Sequence, residues 1–350
     1  MKKTTLKARA YCKRLAEKKR VQQTKEANIV KHCRKSKTYQ KKPTRINRTI
    51  SAPEHFGVYN KEKRSVFLDF LAQLRLYSQK CRICTINFHK TKSIDSDGGI
   101  LLKAEICRLK TIFGNQCALR CKPSKSNKVN QILKQIEIFS DLNYTSNATL
   151  TRDDVVHWRC AHGNLVDGEK YEPVLGIYDG RIAEEISTGL YSTLTEAMAN
   201  SINHAYKYKH RNDGLKYEDI NNDWWMFSQS HDNKLHIAFC DLGAGIPETI
   251  SESLPRMQSA IKRIGLKTDS DIIKFATGTG KSRTEKSYRG KGLPQMLRVI
   301  SSIPDGKLVI FSNKGMLRAI KGKLDKHEYR KSSILGTLVI LEIPLKSMET

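Results

Sequence analysis

The sequence predicts an α/β protein made of three successive regions, and three observations carry this prediction. Residues 1–50 contain 18 Lys and Arg but only two acids, a composition typical of a solvated basic arm. Residues 60–142 alternate strand-like apolar runs with amphipathic helical patterns. The rest of the chain carries longer apolar strands that run into glycine-rich turns. We therefore expect a basic N-terminal arm over 1–55, a small α/β domain over 56–150 and a larger domain over 151–350.

The hydropathy of the chain and the composition of its first residues exclude an integral membrane protein and a secreted protein. The chain has 350 residues, a formal net charge of +28 and 39% hydrophobic residues. No run of apolar residues approaches the roughly 18 to 20 that a membrane span needs. The Met-Lys-Lys start lacks the apolar segment of a secretory signal. We expect a cytoplasmic protein with an acidic partner and no membrane contact.

Nine cysteines, an odd number, in a chain without a secretory signal predict reduced thiols. Two pairs, Cys81 with Cys84 and Cys117 with Cys121, have a spacing compatible with a four-thiolate zinc site. Both pairs fall in strand-like segments, whereas zinc ligands usually sit on tight turns. Buried strand thiols are the favoured interpretation, and zinc stays the alternative.

The small domain is predicted as alternating helices and strands. A polar, turn-rich stretch over 143–154 predicts its end. The predicted elements are a helix over 67–77, a strand over 82–88, a helix over 98–109, a strand over 116–121 and a helix over 129–139.

One predicted helix of the larger domain carries a polar face. Glu196, Asn200, Asn203 and His204 are spaced i, i+4, i+7 and i+8, which places them on one side of an α-helix. A carboxylate, two amides and an imidazole are costly to bury without partners. This face suits a hydrated cation and phosphate oxygens.

A second motif follows an alternating strand that begins near Leu235. The strand ends in Asp241, and Gly243, Gly245 and Ile246 come directly after it. The aspartate at the strand end can accept a hydrogen bond from an exocyclic amine. The glycines allow the backbone to pass close to a flat base.

Two further motifs lie near the end of the chain. The glycine-rich turn Arg289-Gly290-Lys291-Gly292-Leu293 opens a predicted helix that continues to Ile300, and the backbone amides at such a start bind phosphate. Gly336 and Thr337 open the final apolar strand.

In this order, the four motifs resemble the N-box, the two G-boxes and the closing Gly-Thr strand of the GHKL family of ATP-binding domains, which includes gyrase, MutL and the histidine kinases. The resemblance covers residues 185 to 345. The N-box segment over 195–206 is most similar to that of the anti-sigma-factor serine kinases. The resemblance implies a Bergerat α/β sandwich with a mixed sheet, and ATP and Mg²⁺ as cofactors.

The resemblance also implies roles for individual residues. Glu196 would polarise the attacking water or hydroxyl, and Asn200 would ligate Mg²⁺, which prefers oxygen donors. Asp241 would bind the adenine amino group, directly and through a water shared with Thr337. The remaining nucleotide-binding positions are Asn203 and His204 on the helix, Gly243, Gly245 and Ile246 beside the base, Arg289, Gly290, Lys291, Gly292 and Leu293 at the phosphates, and Lys281 from a lid over 248–289.

Three functions stay open. The chain ends seven residues after the last motif strand, so we expect no transducer domain of the gyrase or MutL type. No helix with a phosphoacceptor histidine precedes the domain, which argues against a histidine kinase. The favoured function is an Mg-ATP-dependent ATPase or nucleotide-gated switch that regulates a partner. The alternatives are a serine/threonine protein kinase of the anti-sigma type and a nucleic-acid-binding regulator that uses residues 1–50.

The small domain carries a resemblance of its own. The turn Asp95-Ser96-Asp97-Gly98 between a strand and a helix resembles the Asp-Ser-Ser-Gly turn of STAS domains, the partners of anti-sigma kinases. Asp97 stands where that family has its phosphorylated serine, which implies a regulator and not a substrate. An Asp-Gly turn in an unrelated α/β unit is the alternative. A protein partner, which could itself be STAS-like, and a homo-oligomer are further expectations.

Overall fold

The computed structural model describes residues 46–178, 180–182, 184–206, 211–215, 222–253, 259, 261, 263–278 and 292–346. Residues 46–350 form one compact unit. Most of the predicted basic arm, residues 1–45, lies outside the described residues. The predicted α/β class is confirmed, since the described residues form both helices and strands in each half of the chain.

The N-terminal part of the unit contains a three-stranded parallel sheet. Its strands are β1 (Asn47–Ser51), β3 (Ile83–Asn87) and β5 (Ala118–Lys122), in the order β1-β3-β5. Two short strands, β2 (His55–Phe56) and β4 (Ser93–Ile94), pair in parallel beside it. The prediction of an arm over 1–55 is therefore wrong from residue 47 onward, because β1 and β2 pair with strands that lie more than 30 residues away in sequence.

Four helices belong to this part of the unit. They are α1 (Lys61–Lys80), α2 (Ser96–Phe113), α3 (Asn127–Gln135) and α4 (Ile138–Asp141). The helices predicted over 67–77 and 98–109 are confirmed and are longer than predicted. The helix predicted over 129–139 is interrupted, because Glu137 adopts a left-handed conformation with φ of 60°.

The C-terminal part contains a seven-stranded sheet in the order β11-β10-β9-β12-β8-β7-β6. Every neighbouring pair in this sheet is antiparallel, so the expected mixed sheet is wrong for these strands. After β8 the chain crosses over through helices and returns two strand positions away as β9, and β12 lies between these two strands, antiparallel to both. The strands are β6 (Arg159–Gly163), β7 (Trp224–His231), β8 (Lys234–Asp241), β9 (Lys307–Ser312), β10 (Gly315–Ile320), β11 (Lys323–Tyr329) and β12 (Thr337–Pro344).

Helices cover one face of this sheet. The long helix α7 (Glu184–Asn200) continues into a π-helical segment, Ser201–Ala205, and packs against α10 (Gly292–Ser301). The other helices in this half of the chain are α5 (Asp153–Val156), α6 (Glu172–Leu175), α8 (Ile246–Ser253) and α9 (Asp269–Ala276).

Helix α9 corrects the expectation of a lid over 248–289. It packs against β10 and β11, and Ile273 is fully buried in the core on the helix side of the sheet. Thr268 and Asp271 form a capping box that fixes its start. This part of the predicted lid is therefore a packed helix.

The large sheet has a separate hydrophobic core on each face. Alternation along β8 directs Leu235, Ile237 and Phe239 to the helix side, while Ala238 and Cys240 face the opposite core. That second core also contains the inward side chains of the small sheet and of α1 and α2, and α2 packs on β7 and β8. The layers are therefore the small sheet, the α1 and α2 helices, the large sheet, and the helices around α7.

Among the described residues, the helices do not combine the length and apolar character that crossing a bilayer requires.

Candidate functional site

Three polar side chains lie in a row at the ends of adjacent strands. Asp241 ends β8, Thr337 begins β12 and Ser312 ends β9, and the sheet register places Thr337 directly between the other two. The alternation of each strand directs these side chains to the helix side of the sheet. Thr337 donates to the Asp241 carboxylate from its backbone N–H and its hydroxyl, and its Oγ1 lies 3.2 Å from Oγ of Ser312.

Asp241 is an acceptor held in a nearly dry environment. The residue is 6% exposed, and burial raises the pKa of its carboxyl to about 6 despite hydrogen bonds from the Gly243 N–H and from Thr337 and the nearby positive charge of Arg211. The Gly243 nitrogen lies 3.0 Å from Oδ1. A carboxylate offers about four acceptor positions, so Asp241 can accept a further donor from a ligand.

Three glycines permit close backbone contacts around this carboxylate. A Cβ on Gly243 would lie 2.4 Å from the Ala205 carbonyl oxygen, and a Cβ on Gly336 would lie 2.3 Å from the Asp241 carbonyl oxygen. Gly245 has φ of +85°, which favours glycine. The Ala244 N–H donates to the Ala205 carbonyl over 2.7 Å. The glycine loop and the end of the α7 segment are therefore in direct backbone contact.

Two residues that the sequence analysis did not select hold this loop in place. The Asn313 side-chain amide donates to the Ala244 carbonyl over 2.8 Å, and its backbone N–H donates to the Gly336 carbonyl over 3.0 Å. Ser312 Oγ accepts from the Ile246 N–H over 2.8 Å. The sequence signal that could have identified them is the polar pair Ser312 and Asn313 where the apolar strand β9 ends, at the same edge of the sheet as Asp241.

Tyr206 joins the end of the α7 segment to the two central strands. Its hydroxyl accepts from the Leu242 N–H over 3.0 Å and donates to the Asp223 carbonyl over 2.5 Å. Burial, followed by the charge of Asp241, raises the pKa of this phenol well above its usual range. Tyr206 is therefore a neutral hydrogen-bonding group that fixes the polar helix relative to Asp241.

The polar helix is α-helical only as far as Asn200. Glu196 and Asn200 lie one turn apart and are half-buried, whereas Asn203 and His204 lie in the π-helical segment and are exposed. The wider π turn changes the angular spacing of the residues after Asn200, and such turns occur often at functional sites. The predicted shared face therefore holds for Glu196 and Asn200, and a different geometry applies to the other two.

The predicted phosphate-binding turn is described only at its end. Gly292 begins α10, and Leu293, like Ile246, is half-buried against the core on the helix side. The Gln295 amide donates to Ser192 Oγ over 2.6 Å, which places the start of α10 beside α7. Lys281, Arg289, Gly290 and Lys291 lie outside the described residues.

Oxygen donors suited to a hard cation are present on α7. Glu196 offers a carboxylate and Asn200 an amide oxygen, the donor types that Mg²⁺ takes while it keeps several waters. Within the described ranges, no three or more His, Cys, Asp or Glu residues are grouped as metal ligands would be. A cation at Asn200 would therefore depend largely on water and on oxygens of the ligand.

The cysteine pairs lie in strands of the small sheet or beside them. Burial, with the neighbouring Cys117 and Cys81, raises the pKa of Cys84 to about 12, and burial raises that of Cys121 to about 12. Without a metal ion, both groups are therefore neutral thiols at physiological pH.

Asp97 does not present its charge to solvent. The residue is 5% exposed, and its carboxylate accepts from the backbone N–H groups of Val58, Tyr59 and Gly98 over 2.9, 3.2 and 2.7 Å. Burial raises the pKa of Asp97 to about 6. The carboxylate fastens the loop before α1 to the start of α2 through these three backbone donors.

A buried ion cluster connects the small α/β part with the segment that follows Tyr206. Glu105 on α2 contacts Arg75, Arg108 and Arg211 at 3.3, 3.2 and 2.8 Å. Burial alone would raise the pKa of Glu105, but Arg211, Arg75 and Arg108 lower it to about 2. Asp213 is paired with Arg108, and Arg211 also acts on Asp241 through its charge.

Comparisons with protein-family models and with curated protein sequences find no match for this chain.

Proposed function

We propose that the chain binds Mg-ATP at the Asp241 end of the large sheet and acts as a GHKL-type ATPase or nucleotide-gated switch that regulates a partner. The observation that carries this proposal is the buried Asp241 carboxylate, bound by Thr337 from the neighbouring strand and bordered by the loop over 243–245. The four sequence motifs also follow one another along the chain in the order that the resemblance implies.

The chemistry at Asp241 favours adenine over guanine. The exocyclic amine of adenine is a donor, and a buried carboxylate offers only acceptors at physiological pH. Guanine presents an oxygen acceptor at the corresponding position, and two acceptors facing each other would leave both buried without a partner. Gly243 and Gly245 allow the loop to pack directly on Ala205 and Asn313, which fixes the loop beside the carboxylate.

The phosphate end of the proposed site lies toward α7 and α10. Asn200 would hold the Mg²⁺ ion, which would neutralise phosphate charge, and Glu196 would orient and polarise the attacking water. The start of α10 lies beside α7 through the bond between Gln295 and Ser192. Backbone N–H groups at a helix start favour phosphate.

The shared core supports a switch in particular. The strand that ends in Asp241 also packs against α2 of the small α/β part, and Arg211 contacts Glu105 on that same helix. A ligand that changes the position of the loop over 243–245 or of the segment after Tyr206 would therefore change contacts with the small α/β part.

Calorimetric titration of the full chain with ATP and with GTP, each with and without Mg²⁺, tests the proposal. We expect ATP to bind at least tenfold more tightly than GTP, on the order of the 1.4 kcal/mol that one unmatched hydrogen bond costs. Equal affinity for both nucleotides, or no binding of either, would refute the site. Transfer of a γ-labelled phosphate to another protein, without release of free phosphate, would instead favour the kinase.

A further inference from the structure

Among the described residues, one face of the small parallel sheet is open to solvent. Along β3, Cys84 and Ile86 point into the core while Ile83, Thr85 and Asn87 are only half-buried. The outward residues of the flanking strands β1 and β5 are exposed, and in β1 Arg48 on the other side is exposed as well. Parallel sheets are almost always covered on both faces. An exposed face on such a sheet therefore indicates that a binding partner covers it.

The outward face is polar and cationic. The register aligns Thr49, Thr85 and Arg120 in one row across the three strands. The next outward row is formed by Ser51, Asn87 and Lys122. No acidic residue lies among the outward positions of these described strands, and Arg120 and Lys122 form no ion pair with other described residues. Two cations and several hydroxyl and amide donors are therefore available to an anionic ligand.

More cations lie at the carboxyl ends of the same strands. Lys90 lies in the loop after β3 and Lys125 lies in the loop after β5, and both are exposed. The Lys125 N–H donates to the His89 carbonyl over 3.4 Å, which brings the two loops together. Residues 1–45, which lead directly into β1, carry 17 Lys and Arg against two acids. The cations of this face and of its loops therefore favour an anionic ligand.

We propose that the outward face of the small sheet is a nucleic-acid-binding surface that contacts the sugar-phosphate backbone. Lys, Arg, Ser, Thr and Asn side chains make most protein contacts to phosphate. The cores of protein interfaces are instead enriched in aromatic side chains and depleted of lysine. Ile83 is the one bulky apolar side chain on this face, so the surface suits a nucleic acid better than an acidic protein. Because it lacks aromatic side chains for base stacking, it binds with little sequence preference.

Fluorescence anisotropy of labelled single-stranded RNA, single-stranded DNA and duplex DNA with the full chain tests this surface over a range of salt concentrations. The variant R120Q/K122Q removes two cations from the face. We expect the slope of log affinity against log salt to become shallower by about 1.4 for single strands and about 1.8 for a duplex, and affinity to fall roughly tenfold or more.

The matched control is K323Q/K331Q, which removes the same charge from exposed lysines in and just after β11, an edge strand of the large sheet. We expect this control to keep the wild-type slope. A second variant, T85E, places a carboxylate at the centre of the outward face without removing a cation, and we expect a comparable loss of affinity. Circular dichroism and thermal melting identify any variant that has not folded.

Several results would overturn the proposal. The surface is wrong if R120Q/K122Q keeps the wild-type slope while folded, or if K323Q/K331Q loses as much affinity. It is also wrong if polyglutamate binds the full chain as tightly as the nucleic acids and responds equally to R120Q/K122Q, since the face would then be a site for acidic proteins. RNA and DNA of equal affinity support contacts to the backbone that do not depend on the sugar.

Discussion

Replacing Asp241 by asparagine should change nucleotide affinity and fold stability in opposite directions. The carboxylate offers only acceptors to a donor on the base, whereas an amide presents one acceptor and one donor. The loss of a hydrogen bond to a charged partner costs about 1.5 to 3 kcal/mol, which corresponds to a roughly 10- to 150-fold weaker affinity for ATP.

The stability change follows from the pKa of the same group. Burial raises the pKa of Asp241 from 3.8 to about 6, so the folded protein binds this proton more tightly than the unfolded chain does. The contribution of Asp241 to stability therefore falls as pH rises from about 4 to 6 and stays low above that window. A shift of roughly two pKa units corresponds to about 3 kcal/mol, and Asp241→Asn should recover part of it at pH 7.5.

Isothermal titration calorimetry with ATP and urea unfolding of the ligand-free protein at pH 4 to 8 measure the two effects. Asp97→Asn is the matched control, because burial raises the pKa of Asp97 to about 6 as well and its carboxylate binds the loop before α1. We expect that control to keep wild-type ATP affinity. A folded Asp241→Asn protein that binds ATP within about threefold of wild type would refute the assignment of Asp241.

Three further predictions concern the rest of the site and the buried cluster. Glu196→Ala should bind ATP normally but hydrolyse it roughly 10² to 10⁴ times more slowly, and a wild-type rate of phosphate release in this variant would exclude Glu196 as the base. Asn200→Ala should lose the Mg²⁺ dependence of ATP binding, which calorimetry with and without Mg²⁺ measures. Asn313→Gly keeps the left-handed backbone that position 313 adopts but removes the hydrogen bond to the Ala244 carbonyl. Because such a bond contributes about 1 kcal/mol, ATP affinity should fall about fivefold. Unchanged affinity would show that the loop does not need this support. Glu105→Gln should destabilise the fold by about 3 to 5 kcal/mol. Because the pKa of Glu105 is lowered to about 2, the contribution of this carboxylate to the stability of the wild type should be present above pH 4.5 and lost toward pH 2. Urea unfolding at pH 3 to 7 measures this, and equal stability of variant and wild type at pH 7 would contradict it.

Much of the candidate site is predictable because its signals are local. Asp241 and the glycines follow one strand directly, and Gly336 with Thr337 opens another. The pairing of Thr337 with Asp241 is the event that makes a site of these separate motifs. Only the resemblance predicts that Thr337 and Asp241 lie close together, because no spacing in the sequence specifies which strands become neighbours.

The features that were missed depend on contacts between distant residues. Strand β1 is a strand because it pairs with β3, and its own composition is that of the basic arm. Arg75, Arg108 and Arg211 have the pattern of surface charges on helices and loops, yet all three are buried around Glu105. The π-helical segment after Asn200 and the left-handed Glu137 are local departures from helices whose apolar patterns continue past them.

The position of Arg211 gives the proposed switch a physical basis. Arg211 follows Tyr206, whose hydroxyl accepts from the N–H group immediately after Asp241, and Arg211 is bound to Glu105 on α2. Burial raises the pKa of Asp241, and the charge of Arg211 offsets a part of that rise. The same guanidinium is therefore held by α2 and favours the ionised form of the proposed adenine acceptor. A movement of α2 that withdrew Arg211 would leave both Glu105 and Asp241 less well compensated in a buried environment, where charges interact strongly. In the proposed switch, nucleotide binding at Asp241 would therefore be linked to the packing of the small α/β part. By reciprocity, a partner that displaces α2 should change nucleotide affinity by the same factor as the nucleotide changes affinity for that partner.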